Sequence, residues 1–138
     1  MPAAAGYSGT PLAKKLGIKT GYRIFLKNQP EYYWKLFDAL PENIVVVAHP
    51  KPASIDFIHL FCTSLEELFT HAEYCKGLLK KDGTYWVSWP KGASKIQTDL
   101  KREPVRDLLL EIGLVDTKVA AVDADWSGLK FMYRIKDR

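Results

Sequence analysis

The sequence predicts an α/β protein in which helices cover a mostly parallel sheet, and three observations predict it. Residues 44–48 form an apolar, largely β-branched run without polar alternation, which is typical of a strand buried on both faces. Strand-like and helix-like segments alternate along the 138 residues, 47% of which are apolar, enough for one core. Residues 118–122 and 129–135 flank a loop with a glycine, which indicates an antiparallel hairpin. The fold class is therefore a single Rossmann-like three-layer sandwich of about six strands.

The first half of the chain begins with a composition typical of a flexible arm. The predicted elements are this arm (residues 1–10), a helix (12–16), a strand (22–27), a second helix (31–40) and two more strands (44–48 and 55–62). Thr10 and Pro11 have the types of an N-cap and a first helical residue, and Gly17 ends that helix. Apolar residues recur at helical spacing over the second helix. Because Pro50 and Pro52 forbid a regular helix, we expect the usual crossover helix there to be lost.

The second half continues the alternation within a domain that spans residues 11–138. Before the hairpin, the predicted elements are a helix (residues 63–79), a turn (80–83), a strand (84–89) and a second helix (103–112). A capping residue followed by Glu66 and Glu67 indicates the start of the first of these helices. Gly113 is the expected end of the second.

Composition excludes several classes of protein. No apolar run approaches the roughly 20 residues of a membrane-spanning helix. The first residues lack the basic start and apolar core of a signal peptide, so a cytoplasmic location is expected. Two cysteines make neither a disulfide framework nor a zinc site, and no His, Cys and Asp cluster has the spacing of metal ligands.

The formal charge of +4 is concentrated in two segments. Residues 1–23 have four basic side chains and no acidic one, and residues 79–102 have six basic and two acidic side chains. Such an excess is compatible with an anion site or a weak nucleic-acid surface. Lysines that only face water are the favoured explanation, because no basic motif interleaved with aromatic residues accompanies them.

The loop after the fourth predicted strand is the strongest candidate site. Ligands bind at the carboxyl ends of strands in open α/β sheets, and this loop is longer than usual. Lys91 and Lys95 supply positive charge, Gly92 leaves backbone NH groups open, and Ser94 adds a hydroxyl. These groups could hold a phosphate or a carboxylate. The alternative is a crossover loop with its lysines in water.

Other candidate ligand-binding residues follow the first three predicted strands. They are Asn28 after the first strand, His49 after the second, and Thr63 and Ser64 after the third. A histidine in that position can be a catalytic base, but no nucleophile or carboxylate is placed beside it by sequence spacing. Cys62 is more simply explained as a small buried apolar residue.

The second half resembles the corresponding part of Rossmann-fold methyltransferases. The resemblance rests on residues 78–83, residues 109–114 and the closing hairpin, and it implies the strand order 2-1-3-4-6-5. Those enzymes bind S-adenosylmethionine through a glycine-rich turn after the first strand and an acidic residue after the second. Here the turn over residues 27–30 has no glycine, and Ala48 and His49 stand where the acid is expected. The sequence therefore predicts no cofactor and makes methyltransferase activity unexpected.

The whole chain resembles a bacterial family of short proteins of unestablished activity, the domain of unknown function 3052. The matching stretches are residues 6–18, 89–91, 98–100, 113–119 and 126–131. This resemblance implies that the protein is related to that family, but it indicates no mechanism.

These observations favour a non-catalytic protein that binds an anionic small molecule or a protein partner at the carboxyl ends of the strands. One alternative is an enzyme that uses His49 or Lys91. Another is a weak RNA-binding accessory protein that uses the two basic segments. The sequence does not define the oligomeric state.

Overall fold

A six-stranded sheet with helices on both faces forms the core of the protein. The computed structural model describes residues 10–138, so the predicted arm lies outside the described residues except for Thr10, and its separation from a domain stays a prediction. The strands are β1 (Arg23–Lys27), β2 (Val45–Val46), β3 (Ile55–Phe61), β4 (Leu79–Pro90), β5 (Leu114–Ala121) and β6 (Trp126–Tyr133). The α-helices are α1 (Leu12–Leu16), α2 (Leu65–Leu78) and α3 (Arg102–Glu111), and 3-10 turns lie at Tyr33–Leu36 and Ile135–Asp137.

The strand order is β2-β1-β3-β4-β6-β5, which confirms the predicted order and fold class. Strand β1 pairs in parallel with β2 and β3, and β3 pairs in parallel with β4. Strand β6 is antiparallel to both β4 and β5, as the predicted hairpin requires. The chain passes from β1 outwards to β2 and then from β3 towards β4, so the order reverses between β1 and β3, and open α/β sheets bind ligands at such a point.

Two apolar clusters cover the faces of the sheet. One packs α2 and α3 against β1, β3, β4 and β6, and the other packs α1 and the 3-10 turn of Tyr33 against the opposite face. Trp86 is fully buried in the second cluster, and its indole Nε1 donates a hydrogen bond to the carbonyl oxygen of Leu16 at 2.7 Å. This bond fixes α1 on the sheet.

The helix predicted over residues 31–40 is wrong, because only the 3-10 turn Tyr33–Leu36 forms. The buried Tyr33 ring packs edge-on against His59 and Phe61, and its hydroxyl lies 2.9 Å from His59 Nδ1. These contacts fix Tyr33, and with it the short 3-10 turn, against the sheet. The Thr10 N-cap is also wrong, since Pro11 precedes the helix and no side chain caps it.

The burial predicted for the second strand is wrong as well. Strand β2 has two residues, and Val45 and Val46 remain 48% and 53% exposed. The structure has no helix between β2 and β3, as the two prolines predict. A β-branched run is buried on both faces only where crossover helices cover it, so the missing helix explains the exposure.

The predicted turn over residues 80–83 is part of β4, which begins directly after α2. Leu79 pairs with Ile55 and Thr84 with Phe57, so the intervening residues form a bulge in the β3–β4 pairing. Strands β5 and β6 also begin earlier than predicted, which shortens the hairpin loop to residues 122–125.

Candidate functional site: a cleft at the carboxyl ends of β1 and β2

A cleft of about 610 Å³ opens where β1 and β2 end. Its apolar lining consists of Phe25, Leu26, Val46, Val47, Ala48 and Pro50. Its polar lining consists of Lys27, Gln29, His49 and Tyr74. The two strands are parallel, so the segments that follow them meet at the same edge of the sheet. The cleft therefore lies beside the strand-order reversal at which such sheets bind ligands.

The missing crossover helix opens this cleft. The chain between β2 and β3 runs back along the surface, where the amide nitrogens of Ala53 and Ser54 donate to the carbonyl oxygens of Gly77 and Leu78. The face of β1 and β2 beside α2 thus stays accessible, and Tyr74 of α2 contributes to the cleft while being 57% exposed.

The turn after β1 has a left-handed backbone at Asn28, whose φ is 59°. Only glycine adopts this conformation freely, and asparagine tolerates it better than most residues. The turn therefore has at Asn28 a backbone conformation for which glycine is the usual residue. Its neighbours Lys27 and Gln29 line the cleft.

The cleft has a positive and hydrogen-bonding character. Lys27 lies two residues after Phe25 in β1, so both side chains are on the face of the sheet that α2 covers, and both line the cleft. Among the lining residues that the structure describes there is no carboxylate.

Thr63 and Ser64, two predicted site residues, form a cap of helix α2. The Ser64 hydroxyl accepts a hydrogen bond from the Glu67 amide at 3.1 Å, and the Thr63 amide and hydroxyl donate to Glu67 Oε1 at 2.7 and 2.8 Å. This arrangement differs from a capping box in one respect, because the Glu67 carboxylate accepts from Thr63, the residue before the N-cap Ser64, and not from the amide of Ser64 itself. Neither residue lines the cleft.

The predicted loop site over residues 91–95 is attached to the β5–β6 hairpin. The Lys91 amide donates to the Asp125 carbonyl oxygen at 2.8 Å, and the Ser94 hydroxyl donates to Asp125 Oδ1 at 2.8 Å. Ser94 is therefore already bonded, while Gly92 and Lys95 are exposed. The structure brings Asn28 and His49 to the cleft region and places the loop residues elsewhere. The ligand-binding roles of all eight candidate residues stay predictions: Asn28, His49, Thr63, Ser64, Lys91, Gly92, Ser94 and Lys95.

A second polar cluster, not foreseen from the sequence, lies at the carboxyl edge. The Tyr32 hydroxyl donates to Asp123 Oδ2 at 2.9 Å and accepts from Trp126 Nε1 at 3.2 Å. Burial, followed by this bond to Asp123, raises the pKa of Tyr32 to about 12. The other oxygen of Asp123 accepts from the amides of Asp125 and Trp126. The cluster links the segment after β1 to the hairpin.

The sequence contained a signal for some of the missed cleft residues. Lys27 and Gln29 flank Asn28 at the end of a predicted strand and could have been included with it. Tyr74 had no such signal, because it lies in the middle of a helix and reaches the cleft only where the crossover helix is missing.

Residues 10–138 lack two further features. No helix there is long and apolar enough to cross a membrane. No three or more His, Cys, Asp and Glu side chains there come together in a group that could hold a metal ion.

Solved structures with a similar fold include several methyltransferases. An S-adenosylmethionine-dependent methyltransferase from Aquifex aeolicus is 16% identical and matches with a TM-score of 0.57, covering 89% of this chain and 88% of its own. A TehB-like methyltransferase from Corynebacterium glutamicum is 10% identical at a TM-score of 0.55, covering 94% and 91%. The 1,6-didemethyltoxoflavin N1-methyltransferase of Burkholderia thailandensis, solved with S-adenosylhomocysteine, is 13% identical at 0.55, covering 87% and 73%. The chain thus has the Rossmann-like fold of methyltransferase structures.

The sequence comparisons found no match. No protein-family model matches the chain, and no curated protein matches it. At these low identities the structural likeness establishes the fold alone.

The comparisons contradict two expectations drawn from the sequence. The preference for a non-catalytic binding protein, with an RNA-binding accessory protein as an alternative, is contradicted by this likeness, because the similar structures named above are methyltransferases. The argument against methyltransferase activity is wrong for the same reason. The turn after β1 has no glycine, yet its backbone is left-handed at Asn28, the conformation for which glycine is the usual residue.

Proposed function

We propose that the protein is an S-adenosylmethionine-dependent methyltransferase whose cofactor binds in the cleft at the ends of β1 and β2. The observation that supports the proposal is the position of this cleft. It opens beside the order reversal of a sheet whose order matches the methyltransferase fold, and structures of that fold include proteins described as binding the cofactor or its demethylated product.

The residues of the cleft fit a nucleoside-sized cofactor. Its volume falls within the range of about 300–1,000 Å³ that is usual for small-molecule sites. Phe25, Val46 and Val47 supply an apolar wall against which a purine can pack. Gln29 and His49 supply hydrogen-bonding groups for hydroxyls, in place of the acidic residue that the family places after the second strand.

The polar residues of the cleft have separate binding roles in this proposal. S-Adenosylmethionine, when bound, supplies an electrophilic methyl group. Lys27 provides a positive charge that attracts a carboxylate group of the ligand. Tyr74 closes the open side of the cleft and excludes water from the bound purine.

Calorimetric titration with S-adenosylhomocysteine and S-adenosylmethionine tests the proposal directly. We expect saturable binding with a dissociation constant in the micromolar range, about −8 kcal/mol. Tyr74→Ala should weaken binding about tenfold, because an exposed aromatic ring that covers a bound base contributes roughly 1–3 kcal/mol. Phe69→Ala is the matched control, since Phe69 is an exposed aromatic residue of the same helix that does not line the cleft.

Two results would contradict the proposal. One is the absence of a binding signal with either compound at millimolar concentration from protein that melts cooperatively. The other is equal weakening of binding by Tyr74→Ala and Phe69→Ala, which would place the ligand outside the cleft.

Two further predictions belong with this proposal. Membership in the domain of unknown function 3052 is supported by the motifs over residues 6–18 and 126–131, and a cytoplasmic location by the free thiols of Cys62 and Cys75.

A further inference from the structure

Strand β2 leaves one edge of the sheet open. In the sheet that residues 10–138 form, β2 is the first strand of the order and pairs on one side only, with β1. The amides of Val45 and Val47 donate to the carbonyl oxygens of Tyr22 and Ile24 at 2.9 and 2.8 Å. Because parallel strands bond through alternate residues, the N–H and C=O groups of Val46 point away from β1. These two groups are available to a further strand.

The residues of this edge carry no charge. We call residues 44–48 the β2 edge, and all five of them are apolar. Val45 and Val46 are 48% and 53% exposed, and the pairing of β2 with β1 has no bulge. An exposed, uncharged and regular edge strand is a template for pairing with another strand, so proteins usually protect such an edge. The β2 edge has no such protection within the strand.

The opposite edge of the sheet, by contrast, is protected. Strand β5 contains Asp116 and Lys118, and a bulge interrupts its pairing with β6 between these two residues. Charged side chains and bulges both hinder the addition of another strand. The contrast favours strand addition at the β2 edge and disfavours it at β5, so an assembly built through β2 stops at two copies.

Charges at the two ends of the β2 edge favour a second copy of this chain as the occupant. Glu42 precedes the edge and Lys51 follows it, and both residues are exposed. In the part of the chain that the structure describes, the salt bridges involve neither of them. In an antiparallel pair of β2 edges, the start of one strand lies beside the end of the other. Glu42 of one protomer then lies near the partner's Lys51, and twofold symmetry repeats this pair.

We propose that the protein forms a twofold-symmetric dimer in which the two β2 strands pair antiparallel about Val46. The Val46 amide of one protomer donates to the carbonyl oxygen of the partner's Val46, and the reciprocal bond forms by symmetry. The exposed valines of both strands lose contact with water, which is favourable. A single strand pair buries less than the roughly 1,200 Å² of a standard interface, so we expect a weak dimer with a dissociation constant of about 10–100 μM.

The partner subunit would lie beside the cleft, because Val46 belongs to the cleft lining as well as to the β2 edge. The dimer itself does not rest on the proposed function, since strand pairing and the two ion pairs need no ligand.

Sedimentation velocity between about 5 and 500 μM protein, without any ligand, tests the dimer. The wild type should change from monomer to dimer over this range, as mass action requires. Val46→Lys should raise the dissociation constant about tenfold or more, because it brings two like charges together at the twofold axis. Val119→Lys is the matched control and should change the constant less than about twofold, since Val119 is a valine of the opposite edge strand with a similar exposed fraction.

An exchange of charges tests the antiparallel arrangement. Glu42→Lys alone should weaken the dimer about fivefold to tenfold, because both ion pairs become repulsive. Glu42→Lys combined with Lys51→Glu restores opposite charges and should return the dissociation constant to within about threefold of the wild-type value. Thermal melting of every variant confirms that it is folded.

Amide hydrogen exchange locates the interface at single residues. Exchange of the Val46 amide should slow as the protein concentration rises, because this amide is bonded only in the dimer. The Val45 amide is the internal control, since it already donates to Tyr22 in one protomer and should change much less.

Three outcomes would overturn the inference. They are a wild type that stays monomeric at about 500 μM, which would leave the β2 edge to another occupant, equal weakening by Val46→Lys and Val119→Lys, and a double charge exchange that does not restore the dimer. The proposed function fails separately, by absence of S-adenosylhomocysteine binding. Dimerisation without cofactor binding would therefore support the β2 interface and refute the enzymatic proposal.

Discussion

Lowering the pH from 7.5 to 5 should reduce the free energy of unfolding by about 2 kcal/mol through a single residue, His59. The imidazole is fully buried, with Nδ1 2.9 Å from the Tyr33 hydroxyl and Nε2 2.8 Å from the Ser88 hydroxyl. Burial lowers its pKa from 6.5 to about 3. The folded protein thus keeps a neutral ring where the unfolded chain has already taken up a proton.

The direction of the effect follows from these pKa values. The stabilisation is complete above pH 6.5 and is lost as the pH falls from 6.5 towards 3, because only the unfolded chain binds a proton in that window. Each pH unit well inside the window costs about 1.4 kcal/mol. Between pH 7.5 and 5 this sums to about 2 kcal/mol, before most carboxylates begin to titrate.

Urea denaturation followed by tryptophan fluorescence at pH 7.5, 6 and 5 measures this loss. The variant His59→Gln has no titrating group at position 59, and its amide can still form hydrogen bonds. Between pH 7.5 and 5 its free energy of unfolding should therefore fall by about 2 kcal/mol less than that of the wild type. His71→Gln, at a partly exposed position, is the control and should behave like the wild type. Equal losses in wild type and His59→Gln would refute the reasoning.

Two other predictions concern packing and thiol reactivity. Gly128→Ala should destabilise the fold by about 1–3 kcal/mol in urea denaturation, because the new Cβ would lie 3.1 Å from Trp86 Cε3 and 3.2 Å from Ser88 Oγ, both held by hydrogen bonds. Gly77→Ala is the control, with no atom within 4 Å of the new Cβ, and a loss as large as that of Gly128→Ala would count against the packing argument. Cys62 and Cys75 should not react with Ellman's reagent at pH 8 in the folded protein, since burial raises their pKa values to about 12 and 11. Fast labelling of either thiol without urea would show that it is accessible.

The sequence by itself determined most of the fold. Local periodicity predicted β1, β3, α2 and α3 with small errors at their ends, because the apolar spacing of strands and helices is a property of neighbouring residues. Pro50 and Pro52 predicted the missing crossover helix for an equally local reason. The strand order came from the resemblance to methyltransferases and is confirmed.

Part of the candidate site was also predictable. Asn28 and His49 each follow a strand, and the ends of parallel strands meet at one edge of the sheet. In the structure His49 lines the cleft, and Asn28 lies in the turn beside it.

The tertiary structure alone decided the rest, since contacts between distant residues have no local periodicity. The run around Val45 and Val46 suggests a buried strand, and only the absence of a covering helix leaves it exposed. From the sequence, Ser94 is a candidate ligand-binding hydroxyl. In the structure it donates its hydrogen bond to Asp125, which is far along the chain. Lys15 and Lys118 share one face only because α1 packs on the sheet beside β5, which no spacing within either segment indicates.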